Sequence, residues 1–249
     1  MPVIDLTRVD AVIFDNDGVV TDTARLHAAA WKQAFDEFLR GRSEPFDICR
    51  DYLEYVDGRS RMDGVRTFLA SRGIILPEGA AGDRPGTLSV HGLAAAKDIL
   101  FLKNVESDRV AAFPRTVGLL RRLRRYGCRT GLVSASRHCH AVVTAAGVAG
   151  FFDTVVDGHD AATLCLPGKP EPHLFWEAAR RLGVPPGRAA IVEDALAGVE
   201  AGRRGGFSLV IGVDRAGGRT GTLRARGADI VVSDPGELEV TGRAWAGAP

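Results

Sequence analysis

The sequence predicts an α/β fold: a parallel sheet covered by helices, with an all-helical segment inserted after its first strand. Three observations predict it. The apolar run Ala11-Val12-Ile13-Phe14 stops at Asp15-Asn16-Asp17-Gly18, as a buried strand stops at a turn. From Pro114 onward, strand-length apolar runs alternate with helix-length amphipathic ones, the rhythm of a parallel sheet covered on both faces. Between residues 24 and 106 no convincing strand signal is present and helical spacing dominates.

Each element has its own signal. Trp31, Phe35, Phe38 and Leu39 recur at helical spacing within 24–40. Two further helical stretches cover Ile48–Val56 and 62–72, and 77–86, rich in Gly, Pro and Ala, reads as a loop. Helical patterning resumes over 93–105. Pro114 suits a first helical turn, and Val117, Leu120 and Leu123 mark one apolar face. Strands are then expected at 130–133, Thr154–Val156, 189–192, 209–212 and Ile230–Val232. Helices are expected at 137–146, His173–Leu182, 195–204 and 220–226. Residues 241–249 read as a loose tail. The expected division is an α/β core, 1–22 plus 107–249, and an α-helical insertion, 23–106. Leaving the first strand at its end, the insertion should lie over the carboxyl ends of the strands, where open α/β sheets bind ligands.

Composition excludes several classes. The chain has 249 residues, 45% hydrophobic and 25% charged, which is ordinary globular composition. Its 32 Lys and Arg balance 31 Asp and Glu, so a nucleic-acid partner is not expected. No apolar run exceeds four residues, so no membrane helix is expected. Asp5, Arg8 and Asp10 stand where a signal peptide would be apolar, and the four cysteines lack C-x-x-C spacing. A cytoplasmic chain with free thiols is the expectation. The basic stretch Arg121-Arg122-Leu123-Arg124-Arg125 reads as a solvated helix face, since Leu119, Leu120, Leu123 and Tyr126 give it a buried stripe. His138-Cys139-His140 is not expected to bind metal, because positions i and i+2 diverge on a helix.

The residues able to carry chemistry sit at strand ends. Asp15 and Asp17 lie two apart, and Gly18 permits a sharp turn. Two converging carboxylates can hold a hard cation and leave one free as nucleophile or proton donor. An ordinary Asp-Gly turn is the other reading. Ser134 ends a strand and precedes a helix, a position suited to an anion. Lys169 lies in Gly168-Lys169-Pro170-Glu171-Pro172, where prolines stiffen the loop; a solvated surface lysine is its alternative. Glu193 and Asp194 close another strand, where Asp194 could instead be a helix cap.

Taken in order, Phe14-Asp15-Asn16-Asp17-Gly18-Val19-Val20-Thr21-Asp22-Thr23, Ser134, Gly168-Lys169-Pro170 and Val192-Glu193-Asp194 resemble the four motifs of the haloacid dehalogenase superfamily. The resemblance covers nearly the whole chain and implies a Rossmann-like core under an α-helical cap. Within the superfamily, the chain is most similar to the β-phosphoglucomutase group. That likeness lies in His27 and Trp31, in Gly58-Arg59-Ser60-Arg61, in Lys97, and in Ser134-Ala135-Ser136-Arg137. The chain departs from that pattern at Asn16, usually apolar, whose side chain is expected to point away from Asp15 and Asp17. It also departs at Asp98 and His138, where asparagine is usual, and at His173, where aspartate is common. Lys103-Asn104 competes with Lys97 for its place in the pattern.

The resemblance implies a mechanism. Asp15 becomes an aspartyl-phosphate, and Asp17 is the general acid and base. Asp15, the main-chain carbonyl of Asp17, and Asp194, with Glu193 assisting, hold Mg²⁺. Lys169 and Ser134 bind the transferring phosphoryl. His27, Gly58, Arg61, Lys97, Ala135, Ser136, Arg137 and His138 contact a small sugar phosphate, and Arg61 grips the phosphate that is not reacting. The implied reaction interconverts β-glucose 1-phosphate and glucose 6-phosphate in a monomeric enzyme. A sugar-phosphate phosphatase would use the same core residues, and a non-catalytic phosphosugar-binding module is a third reading.

Overall fold

The computed structural model describes residues 2–243. In chain order the elements are β1 (Val3–Asp5), β2 (Ala11–Asp15), α1 (Ala24–Leu39), a wide helical turn (Ile48–Val56), α2 (Arg61–Ser71), α3 (Val90–Ser107), α4 (Pro114–Arg125) and β3 (Arg129–Val133). Then come α5 (Cys139–Ala145), β4 (Thr154–Val156), α6 (Gly158–Thr163), α7 (His173–Leu182), β5 (Ala189–Glu193), α8 (Leu196–Arg204), β6 (Leu209–Val213), α9 (Thr220–Ala225), β7 (Ile230–Val232) and β8 (Glu239–Thr241).

Six strands form one parallel sheet in the order β4-β3-β2-β5-β6-β7. The central strand β2 is buried at all five positions, which is why its sequence is a continuous apolar run rather than an alternating one. Its pleat sends Val12 and Phe14 to one face, where they pack with Leu119, Leu120 and Leu123 of α4 and Val143 of α5. Ala11 and Ile13 pack on the other face with Leu174, Phe175 and Leu182 of α7 and Val199 of α8. Pro114 does open α4, and the arginines on that helix face outward from its leucine stripe. The helices between β2 and α4 have a core of their own, built on Trp31, Phe35, Phe46, Phe68 and Leu93.

Three expectations and one alternative reading need correction. First, β1 and β8 were not foreseen. They pair in parallel, and Thr241 lies opposite Asp5, so 241–243 is not a loose tail; 244–249 lies outside the described residues. Second, α5 begins at Cys139 rather than 137, because Ser136–His138 form a turn in which the His138 amide donates to Ser136 Oγ. Third, Asp194 does not cap α8; Ala195 holds the cap position. Fourth, Asn16 does not point away from the acids. Strand alternation ends at Asp15, the chain turns, and Asn16 Nδ2 donates to Asp17 Oδ1 at 3.1 Å. All four cysteines are free. Among the described residues, no helix is long and apolar enough to cross a membrane.

Candidate active site

Strand register assembles the site. Asp15 lies opposite Val133, and Phe14 lies opposite Val192, so Asp15, Ser134 and Glu193 leave three adjacent strands at nearly one level. Lys169 joins them from the loop before α7. It is 1% exposed, which excludes a solvated surface lysine. Its Nζ pairs with Asp15 Oδ1 and, at 2.7 Å, with Glu193 Oε2. The other Glu193 oxygen accepts from the amides of Asp194 and Ala195.

Asp17 faces a different set of partners. Thr23 Oγ1 donates to its Oδ1, and Ser134 Oγ donates to its Oδ2 at 3.0 Å. His27 Nε2 stands 3.4 Å from Oδ1. Burial would push the Asp17 carboxyl up, but the neighbouring His27 and the hydrogen bonds from His27, Thr23 and Ser134 outweigh it and hold the group below the usual carboxylate range. Ser134 therefore serves Asp17 directly, while its Oγ also accepts from the Ser136 amide.

From the helical insertion, Lys97 Nζ lies 2.7 Å from His27 Nδ1. A continuous line thus runs Lys97–His27–Asp17. Phe101, one turn along α3, stacks on the His27 ring at 3.9 Å between centroids. Lys97 is buried while Lys103 is exposed, which decides between the two candidate lysines. Burial pushes Lys97 down to about 8. In the unfolded chain its value is near 10.5, so between these two values the unfolded state binds more protons, and folding gains stability as pH rises. The stability advantage of wild type over Lys97→Met is therefore expected to grow from about pH 7 to about pH 10. Urea unfolding of both proteins at the two pH values checks this; a constant difference would contradict it.

A cavity of about 360 Å³ separates the insertion from the strand ends. Asp15, Asp17, His27, Gly58, Arg61, Lys97, Ala135, Ser136, Arg137 and Asp194 all line it. Gly58 has φ +73°, and a side chain there would meet Ala195 Cβ at 2.7 Å, so the loop can lie this close to the strand ends only as glycine. His138 does not line the cavity; its ring meets Asp98 at 3.0 Å. His173 sits in the first turn of α7, and its Nδ1 is buried without a partner among the described residues.

The sequence reading missed Asp57. This carboxyl lines the cavity, and burial, reinforced by the charge of Glu193, pushes it up to about 6. The available signal was its place immediately before Gly58, on the loop nearest the strand ends.

The acids also fit a hard cation. Carboxylate oxygens of Asp15, Glu193 and Asp194 lie within 4.8 Å of one another. Asp194 Oδ1 is buried without a hydrogen-bond partner among the described residues. Gly18, at φ +88°, makes room for this carboxylate; a Cβ there would fall 2.0 Å from Asp194 Oδ2. Burial and the mutual charge of these acids push Asp15 and Asp194 well up, a cost that a divalent cation would relieve. An all-oxygen donor set of this kind suits Mg²⁺. The Asp17 side chain is not part of the group.

Known proteins resemble this chain over nearly all of its length. The model of the haloacid dehalogenase-like hydrolases matches residues 9–206. A β-phosphoglucomutase of Mycobacterium bovis is 41% identical over 240 residues, covering 93% of this chain and 92% of the relative. A β-phosphoglucomutase of Bacillus subtilis is 31% identical over 228 residues, covering 92% and 91%. The crystal structure of a β-phosphoglucomutase from Clostridium difficile superposes with a TM-score of 0.72 at 25% identity, covering 93% of both chains. With a family model matching residues 9–206 and these relatives spanning nearly its full length, the chain belongs to the haloacid dehalogenase-like hydrolase family.

Proposed function

We propose that the protein interconverts β-glucose 1-phosphate and glucose 6-phosphate through an aspartyl-phosphate and a sugar bisphosphate. The observation that carries this reading is the Lys97–His27–Asp17 line, which ties a proton-handling carboxylate to the helical insertion. A phosphatase can use water without such a tie. A mutase gains from it, because Asp17 then engages when the insertion closes on a sugar and water is excluded.

The proposed reaction gives each of these residues a part. Phosphorylated Asp15 gives its phosphoryl to the 6-hydroxyl of β-glucose 1-phosphate, and Asp17 takes the hydroxyl proton. The bisphosphate turns over in the cavity. Asp15 then attacks the phosphorus at position 1, the bond to the sugar oxygen breaks, and Asp17 returns its proton to that oxygen. Glucose 6-phosphate leaves, and Asp15 is again phosphorylated. Lys169 offsets the charge of Asp15 and of the transferring group. Ser134 holds Asp17 in place and, with the Ser136 amide, borders the phosphoryl site. Arg61 binds the phosphate remote from Asp15, since a planar guanidinium suits bidentate contact, and Arg137 lines the same cavity. Asp15, the Asp17 carbonyl and Asp194, with Glu193 behind, would hold Mg²⁺, which neutralises charge on the phosphoryl group.

The test supplies β-glucose 1-phosphate, Mg²⁺ and a trace of glucose 1,6-bisphosphate, and measures glucose 6-phosphate and inorganic phosphate together. Glucose 6-phosphate in large excess is the expected result. Stoichiometric release of phosphate would overturn the mutase reading in favour of a phosphatase.

A further inference from the structure

Arg61 does not stand alone in the cavity wall. Its Nη1 is 2.5 Å from Asp98 Oδ2 on α3. The other oxygen of Asp98 is 3.0 Å from His138 Nε2. His138 comes from the far side of the cavity, immediately before α5. Its ring also packs on Phe101, one turn along α3 from Asp98, with centroids 5.7 Å apart. Two departures from the family's usual asparagines, forty positions apart in sequence, thus meet each other, and Asp98 also meets Arg61.

The chemistry of this trio is directional. A guanidinium offers five donors in one plane. Asp98 engages Nη1 alone and leaves the other donors to a ligand. The imidazole fixes Asp98 in turn, so Arg61 is oriented before any phosphate arrives, and less conformational freedom remains to be lost on binding. Burial pushes the Asp98 carboxyl up, yet its bonds to His138 and Arg61 outweigh burial and keep it well below the usual range. The preceding residue, Lys97, turns instead to His27. Adjacent residues of helix α3 thus engage two different cavity-lining partners, His27 and Arg61.

We propose that Asp98 and His138 are positioning residues that set Arg61 for the phosphate remote from Asp15. Because Asp98 belongs to the insertion and His138 to the strand side, the setting is complete only when the two sides meet. This inference rests on the role of Arg61 proposed above. In the forward reaction that remote phosphate is the 1-phosphate of β-glucose 1-phosphate, so KM for this substrate reads the grip directly.

The experiment measures KM and kcat for β-glucose 1-phosphate, with Mg²⁺ and fixed glucose 1,6-bisphosphate, in Asp98→Asn, His138→Asn, Arg61→Ala and Arg61→Ala/Asp98→Asn. Asp98→Asn is expected to raise KM about tenfold with a much smaller change in kcat. His138→Asn should move KM the same way by less. In the Arg61→Ala background, Asp98→Asn should add nothing. An unchanged or lowered KM in Asp98→Asn, with KM raised in Arg61→Ala, would overturn the inference and leave the role of Arg61 standing. Equal effects of Asp98→Asn with and without Arg61 would also overturn it. No effect of Arg61→Ala on KM would overturn both.

Discussion

Asp15→Asn is expected to lower formation of glucose 6-phosphate by more than about 10³-fold. The amide is close in size to the carboxylate and can still accept a hydrogen bond from Lys169, so the cavity should keep its shape. What is lost is the oxygen nucleophile that bonds to phosphorus. Asp17 is already engaged by Thr23, Ser134 and His27, and Glu193 by Lys169 and two amides. A coupled assay for glucose 6-phosphate, beside circular dichroism to confirm folding, checks this. Activity within tenfold of wild type would remove Asp15 from the reaction.

Lys169→Met should cost the fold about 3–5 kcal/mol when no divalent cation is present. The Lys169 and Glu193 side chains are fully buried, and Asp15 is 7% exposed. Methionine fills nearly the same volume, so packing changes little and the loss is electrostatic. Two buried carboxylates would then face each other without the ammonium that compensates them. Urea unfolding in the presence of a chelator measures the difference. A loss under about 1 kcal/mol would mean that the ion pairs are nearly balanced by the cost of burying them.

Much of this site was legible because parallel strands leave a plain record. A buried strand is an apolar run, and the acid or hydroxyl after it marks the mouth of the sheet. Asp15, Ser134, Glu193 and Asp194 were readable for that reason, and the register of β2 with its neighbours then places them together. Other features leave no such record. β1 and β8 stand outside the strand–helix alternation that marks the equally short β4 and β7, and their pairing depends on where the two ends of the sheet domain come to lie. The turn at Asn16 breaks strand alternation at the very position where alternation had been used to place its side chain. The link between Asp98 and His138 needs the fold itself. In sequence they are two isolated substitutions, and only the approach of α3 to α5 makes them a pair. Asp57 was hidden because a single acid before a glycine looks like any turn.

The proposed reaction depends most on Asp15 carrying the phosphoryl group between sugar oxygens. The direct measurement mixes the protein with glucose 1,6-bisphosphate and Mg²⁺, quenches in acid within the first turnover, and maps the phosphorylated peptide by mass spectrometry. Phosphate on the peptide containing Asp15, chased into glucose 6-phosphate when β-glucose 1-phosphate is added before the quench, is the predicted result. A quenched protein with no phosphate on Asp15, while glucose 6-phosphate still forms, would contradict it.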